Sequence, residues 1–190
     1  MNDGNATAGP RGPVERTVPV GDDRERLVCP DCGFIDYENP RIVVGSIVTF
    51  GDRLLMCRRA IEPRRGFWAL PAGFLEIGES PEEGAMREAW EEARARIRIE
   101  RLLAVYTIRR IRQVQLIYRA ELVEPDVSAG PESQEVALLG WDEIPWEDIA
   151  FPSVHWALRQ WRDMRGQSGF APLVNPDGDD GDMLRRRPSG

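Results

Sequence analysis

Residues 80–83, Ser-Pro-Glu-Glu, carry every signal that begins an α-helix: a serine N-cap, proline at the first helical position and glutamate at the third. The helix so predicted extends to about Ala95, and it lies among segments with the composition of strands. Residues 42–50 (IVVGSIVTF) and 54–58 (LLMCR) are apolar and rich in β-branched side chains, and Gly51-Asp52 between them signals a hairpin. Residues 68–70 form a short extended segment stopped by Pro71, after which Ala72-Gly73 turns the chain. Further strands are expected over 97–106, 113–123 and 136–141, and a second amphipathic helix from 153 to about 165. A helix placed between strands, with another closing the chain, predicts an α/β (α+β) fold: a mixed sheet sandwiched between helices.

One core suffices for this length. At 190 residues and 42% hydrophobic the chain supports one main domain with a small appendage. The expected organisation is a disordered or partly ordered segment 1–26, an appendage over 27–40, the main domain over 41–165 and a flexible tail 166–190. No run reaches the ~18 apolar residues of a membrane span, and the polar N-terminus lacks a signal-peptide core, so a cytoplasmic protein with no membrane partner is expected. A net charge of -7 argues against nucleic acid as a partner, since affinity for its backbone rests on surplus Lys and Arg. Cys29, Cys32 and Cys57 read as free thiols or metal ligands rather than a disulfide framework. The acidic run 177–182 (DGDDGD) lacks the terminal glutamate of a calcium loop and reads as solvated tail.

On the predicted helix Glu88, Glu91 and Glu92 relate as i, i+3 and i+4, so their carboxylates leave one face. Each like-charge pair on an exposed helix costs roughly 0.2–0.5 kcal/mol. A divalent cation reverses that sign, and hard oxygen donors suit Mg²⁺ or Mn²⁺. The competing reading is a solvated acidic face.

From Gly73 the text GFLEIGESPEEGAMREAWEEARA resembles the Nudix box, G-x5-E-x7-R-E-U-x-E-E-x-G-U, with Gly73, Glu79, Arg87, Glu88, Ala89, Glu91 and Glu92 in register. The similarity covers roughly residues 27–165. It implies the Nudix fold with a small N-terminal β-ribbon, and hydrolysis of a nucleoside diphosphate linked to another group, X. Carried over by position, Gly73, Glu88, Glu91 and Glu92 hold catalytic Mg²⁺ or Mn²⁺, Arg87 orients Glu88, and Glu79 completes the network or joins the metal. A further acid outside the box is expected at Glu135, with Glu132 second. The box departs at Arg94, where glycine is usual, and at Ala95. Glycine there permits a left-handed exit, whereas arginine favours continued helix, so a change at the helix exit is expected rather than a change in chemistry.

Cys29-Pro-Asp-Cys32-Gly33 resembles the second knuckle of the zinc ribbon in the Nudix branch that includes ADP-ribose and FAD pyrophosphatases. Where that branch has its first cysteine pair this chain has Ala8 and Arg11, so the expectation is a small hairpin at 27–40, a degenerate knuckle that binds no stable zinc. Cys57 reads as a buried structural thiol and His155 as a packed or surface histidine. The branch implies a small nucleotide substrate of ADP-ribose or FAD type and allows a homodimer. For substrate binding, Arg110 and Arg112 share one face if the chain there is an extended strand, where they meet phosphate or sit on a solvated edge. Trp68, Tyr106 and Tyr118 either stack a ring or fill the core. A catalytically silent nucleotide sensor of the same fold is the alternative function, and eroded box glutamates would favour it; here all are present.

Overall fold

The structure, a computed structural model, describes residues 11–181. The chain divides into two compact units between Asn39 and Pro40. In the first, β1 (Glu15–Thr17), β2 (Arg26–Val28) and β3 (Ile35–Asp36) form an antiparallel three-stranded ribbon. The β1 strand lies within the segment expected to be disordered or partly ordered, and the pairing of Glu15 to Thr17 with Arg26 to Val28 gives it structure.

The second unit contains β4 (Arg41–Phe50), β5 (Arg53–Arg59), β6 (Trp68–Ala69), β7 (Ala72–Phe74), α1 (Pro81–Ala93), β8 (Ile97–Ile108), β9 (Gln113–Leu122), β10 (Ser133–Leu139) and α2 (Pro152–Asp163). Its sheet runs β10-β5-β4-β9-β8, with β6 paired to β5 and β7 to β4. The long β4–β9 pairing is parallel and the others are antiparallel, so the sheet is mixed as expected. Alternation along single strands sorts the core into two layers. Ile47, Leu54, Met56 and Leu103 pack with Trp156, Ala157, Leu158 and Trp161 of α2, whereas Val48, Leu55 and Cys57 pack with Ala89 and Ala93 of α1. The two helices therefore cover opposite faces, and the expected sandwich is what forms.

Both caps of α1 are informative. At the start, Ser80 Oγ accepts from the Glu83 amide at 3.2 Å, and the Glu83 carboxylate accepts from the Ser80 amide at 2.7 Å, as the sequence requires. At the end the sequence expectation fails: Arg94 does not continue the helix but adopts the left-handed conformation, φ 51° and ψ 24°, that glycine usually takes. The reason is tertiary. The loop ahead of β10 donates Ser128 N–H to the Ala93 carbonyl at 3.0 Å and Gly130 N–H to the Glu92 carbonyl at 2.9 Å, occupying the groups that continued helix would need. Ala95, buried immediately afterwards, must also turn back toward the sheet. The loop approaches so closely that a Cβ at Gly130 would lie 1.7 Å from the Glu91 carbonyl oxygen.

Residues beyond α2 also pack, which departs from the expected flexible tail. Leu173 exchanges backbone hydrogen bonds with Leu103 and Val105 at 2.8 Å each. Asp182, the last residue of the acidic run, Ala8 and the rest of 1–10 and 182–190 lie outside the described residues.

Two substitutions test the α1 exit by thermal and urea unfolding. Gly130→Ala forces the loop off the helix and destabilises by more than about 2 kcal/mol, whereas Gly169→Ala, with open space around it, changes stability by less than about 0.5 kcal/mol. Arg94→Gly relieves the left-handed arginine and stabilises by up to about 1 kcal/mol, net of its contact with the Trp90 ring; a fall in stability contradicts this account.

Candidate active site

Helix α1 delivers its acidic face against β7 and the loop 75–80. Arg87 is the hub. Its guanidinium donates to Glu79 Oε1 at 2.8 Å and Oε2 at 3.0 Å, to Glu88 Oε1 at 2.7 Å, to Glu91 Oε2 at 3.0 Å and to the Phe74 carbonyl at 2.9 Å. The bidentate pair holds the Glu79 carboxyl at about 2, well below the ordinary range, aided by the Glu76 amide at 2.8 Å. Glu88 and Glu92 are 8% and 6% exposed, which is unusual for carboxylates. Burial raises both: the Glu88 carboxyl rises despite Arg87 beside it, and Glu92 is pushed up to about 8 by burial and then by Glu88. The amide of Ala72 and the charge of Arg59 pull Glu92 the other way. A Cβ at Gly73 would lie 2.3 Å from Glu88 Oε1, so only glycine on β7 leaves room for this carboxylate.

These groups open onto a cavity of about 790 Å³, within the range of ligand sites. Glu76, Glu88, Glu91, Glu92 and Glu132 contribute carboxylates, Arg59, Arg87 and Arg110 contribute positive charge, and Leu70, Ile108, Ile117, Phe151 and Val154 give it apolar wall. Among the described residues, with Glu62 as the sixth, glutamates outnumber arginines along the lining by six to three. Glu88 and Glu91 both turn onto one guanidinium nitrogen, and among the described residues no three acidic, His or Cys side chains are assembled as a finished cation site.

The sequence-derived candidates divide sharply. Gly73, Arg87, Glu88, Glu91, Glu92 and Arg110 line the cavity, with Glu79 behind them on Arg87. Glu135 does not: it forms an exposed pair with Arg58 at 3.5 Å, worth at most about 1 kcal/mol. Glu132, the second candidate, lines the cavity and adds to the negative field on Glu88 and Glu92. A bulge between Ser133 and Glu135 starts β10 after Glu132, and the Ala60 amide bonds the Glu132 carbonyl at 2.7 Å, which fixes that backbone beside β5. Arg112 also departs from its expected place. Residues Arg109–Ile111 form a 3₁₀ turn and Arg112 follows at φ 53°, so Arg110 and Arg112 do not share a strand face, and only Arg110 lines the cavity. Trp68 pairs with Arg58 and packs on the α2 layer, away from the cavity lining. Tyr106 is fully buried with its hydroxyl on Gln160 at 2.7 Å, and Tyr118 is buried against Glu82 at 3.2 Å, so both belong to the core.

Arg59 was not among the candidates. It lies 5.2 Å from the Phe151 ring, lines the cavity and acts on Glu92. Its signal was available in the period of β5, where Leu55, Cys57 and Arg59 alternate toward one face. Gln113, Gln115 and Ser153 also line the cavity and gave no sequence signal.

Residues 39–161 match the NUDIX domain model, and this stretch contains the whole carboxylate helix. The chain belongs to the Nudix hydrolase family. Residues 11–38 match a second model, Zn_ribbon_Nudix, described as Nudix N-terminal. A Nudix hydrolase structure from Nitrosomonas europaea is 43% identical, with a TM-score of 0.82 over 90% of this chain and 97% of its own. A MutT-like protein of Streptomyces ambofaciens is 39% identical over 104 residues, 54% of this chain and 64% of that protein. An ADP-ribose pyrophosphatase of Methanocaldococcus jannaschii is 27% identical, over 57% of this chain and 67% of its own length. Against an NAD-capped RNA hydrolase of Pseudomonas aeruginosa the match is 41%, but it spans only 37% of this chain and 25% of that protein.

The residues of the N-terminal Nudix ribbon do not fit the zinc that its family name implies. A structural zinc site takes four ligands in tetrahedral array. Cys29 and Cys32 supply two, joined by a turn in which the Gly33 amide bonds the Cys29 carbonyl at 2.8 Å. Arg11, at an expected ligand position, instead gives its backbone amide to Asp31 at 2.7 Å and its guanidinium to the same carboxylate at 2.9 Å. The Cys32, Asp31 and Gly12 amides, led by Cys32, hold the Cys29 thiol below its ordinary value.

Removing the hub exposes its role in the Nudix site. Arg87→Ala leaves Glu79, Glu88 and Glu91 without their shared guanidinium and costs about 2–3 kcal/mol in urea unfolding at neutral pH. Arg87→Lys, which lacks the planar fork, recovers less than half of that loss.

Proposed function

We propose that this protein is a divalent-metal-dependent pyrophosphohydrolase acting on a nucleoside diphosphate linked to X, with substrates of ADP-ribose or FAD type. The observation that carries this reading is the surplus of partly buried carboxylate around Arg87, on one wall of a cavity with room for a nucleotide. Such a surplus is costly in isolation and becomes favourable next to cations. The donor set is all oxygen, which suits Mg²⁺ or Mn²⁺ rather than softer metals.

Glu88, Glu91 and Glu92, with the neighbouring Gly73 backbone, would hold the metal. When bound, Mg²⁺ or Mn²⁺ neutralises diphosphate oxygens and acidifies a coordinated water. Glu91, half exposed on the cavity side, would exchange Arg87 for the metal, while Glu79 keeps the guanidinium aligned on Glu88. Glu92, raised by its burial, would take its charged form only beside such a cation. Glu132, which lines the cavity, would accept the proton of the attacking water, and Arg59 and Arg110 would meet phosphate charge. The apolar wall receives the flanking base or ring, and Phe151 under Arg59 offers an aromatic surface.

The resemblance to the Methanocaldococcus ADP-ribose pyrophosphatase favours ADP-ribose as the first compound to try. A panel of ADP-ribose, FAD, NADH, diadenosine polyphosphates, nucleoside triphosphates and NAD-capped RNA, with Mg²⁺ and with Mn²⁺, tests the proposal. Turnover of a dinucleotide pyrophosphate is expected, abolished by chelator and lowered at least about 100-fold by Glu92→Gln. Glu132→Gln lowers kcat by about 100-fold, whereas Glu135→Gln stays within about twofold of the parent protein; the reverse order would return the base to Glu135. A panel without turnover removes the enzyme reading.

A further inference from the structure

The described part of the acidic run that follows α2, up to Gly181, is built into the second unit. Leu173 bridges to Ala104 of β8, and two residues later the Asn175 side chain continues the pairing: its oxygen accepts the Thr107 amide at 2.9 Å and its nitrogen donates to the Thr107 carbonyl at 3.0 Å. Gln160 of α2 donates to the Val174 carbonyl at 2.8 Å. Asp179, inside the acidic run, accepts the Trp156 indole N–H at 2.9 Å through one carboxylate oxygen and the Gly181 amide at 3.0 Å through the other. The segment is thus fixed both to the end of β8 and to α2. Those contacts deliver Gly181 onto Ile108 and the Trp156 ring, where a Cβ would lie 2.9 Å and 3.2 Å from their atoms, and Gly181 lines the cavity.

Composition gives no sign of this packing. Asp177 to Asp182 has no apolar period, and its acidic residues read as solvated. What fixes the segment is a pair of short polar side chains satisfying one strand residue and one buried indole, a pattern without a sequence signature.

We propose that residues 173–181 are a clamp that completes the substrate cavity and selects the group flanking the pyrophosphate. This rests on the function proposed above. With a divalent metal on the carboxylate face of α1 the pyrophosphate would lie there, and the wall of Gly181, Ile108, Ile111 and Val154 would face whatever is attached to it. That wall is apolar and is set by a glycine, so it suits the flat face of a base or ring and rejects bulk. The clamp residues position the wall and touch no reacting atom.

Asp179→Ala and Trp156→Phe each delete the anchoring hydrogen bond, the second with the aromatic packing kept. Affinity is measured with ADP-ribose, FAD and NADH in Mn²⁺ on a Glu132→Gln background that slows turnover, and kcat and KM with the compound turned over best. Mn²⁺-dependent pyrophosphate binding reports the carboxylate end alone. Both variants are expected to raise Kd and KM about tenfold, with kcat and Mn²⁺-pyrophosphate affinity within about twofold. Asp179→Asn, which retains an acceptor for the indole, restores at least half of the lost affinity on a logarithmic scale. If Asp179→Ala does not fold, Trp156→Phe carries the same expectation. Unchanged Kd and KM in the folded variants overturn the clamp and leave the proposed function standing, as does a loss confined to kcat. If no nucleotide binds the parent protein, the clamp and the proposed function both fall.

Discussion

The Arg87 guanidinium holds together groups that would otherwise push one another apart. It meets two residues of its own helix, a glutamate from the preceding loop and the carbonyl of Phe74 on β7. The helix, the loop and the strand are therefore coupled through one delocalised charge whose planar fork suits several partners. A lysine carries the same charge but not the same geometry. Arg87 offsets part of the burial of Glu88, and the charge of Arg59 part of that of Glu92.

The second constraint is the close approach of the loop ahead of β10 to the end of α1. Gly130 permits it, and its amide and that of Ser128 satisfy the last carbonyls of the helix. The same loop then carries Glu132 to the cavity. One contact thus ends the helix, forces Arg94 into a left-handed conformation and supplies an acid that the helix cannot. Structure and candidate chemistry share a cause there.

Much of the site was legible because it is local. Glu88, Glu91 and Glu92 share a face through helical geometry alone, and Ser80 with Glu83 fixes where that helix starts. Two contiguous apolar strands around Gly51-Asp52 gave the hairpin for the same reason. The failures are all non-local. Glu135 and Glu132 differ by three positions, and only a bulge in the β10–β5 ladder decides which one reaches the cavity. Arg112 left the cavity because a 3₁₀ turn interrupts the expected strand. Tyr106, Tyr118 and Trp68 are aromatic residues for which core and site look alike until the neighbours are known.

By itself, then, the sequence determined the order of helix and strands, the alternation that buries two layers and the row of carboxylates. These follow from chemistry between residues within a few positions of each other, where backbone period fixes direction. Only the tertiary structure decided which acid and which arginines join that row, that Arg94 ends the helix and that Gly181, within an acidic run, lines the cavity. Each of those depends on contacts between segments distant in the chain, whose approach is set by packing and by the need to satisfy buried polar groups.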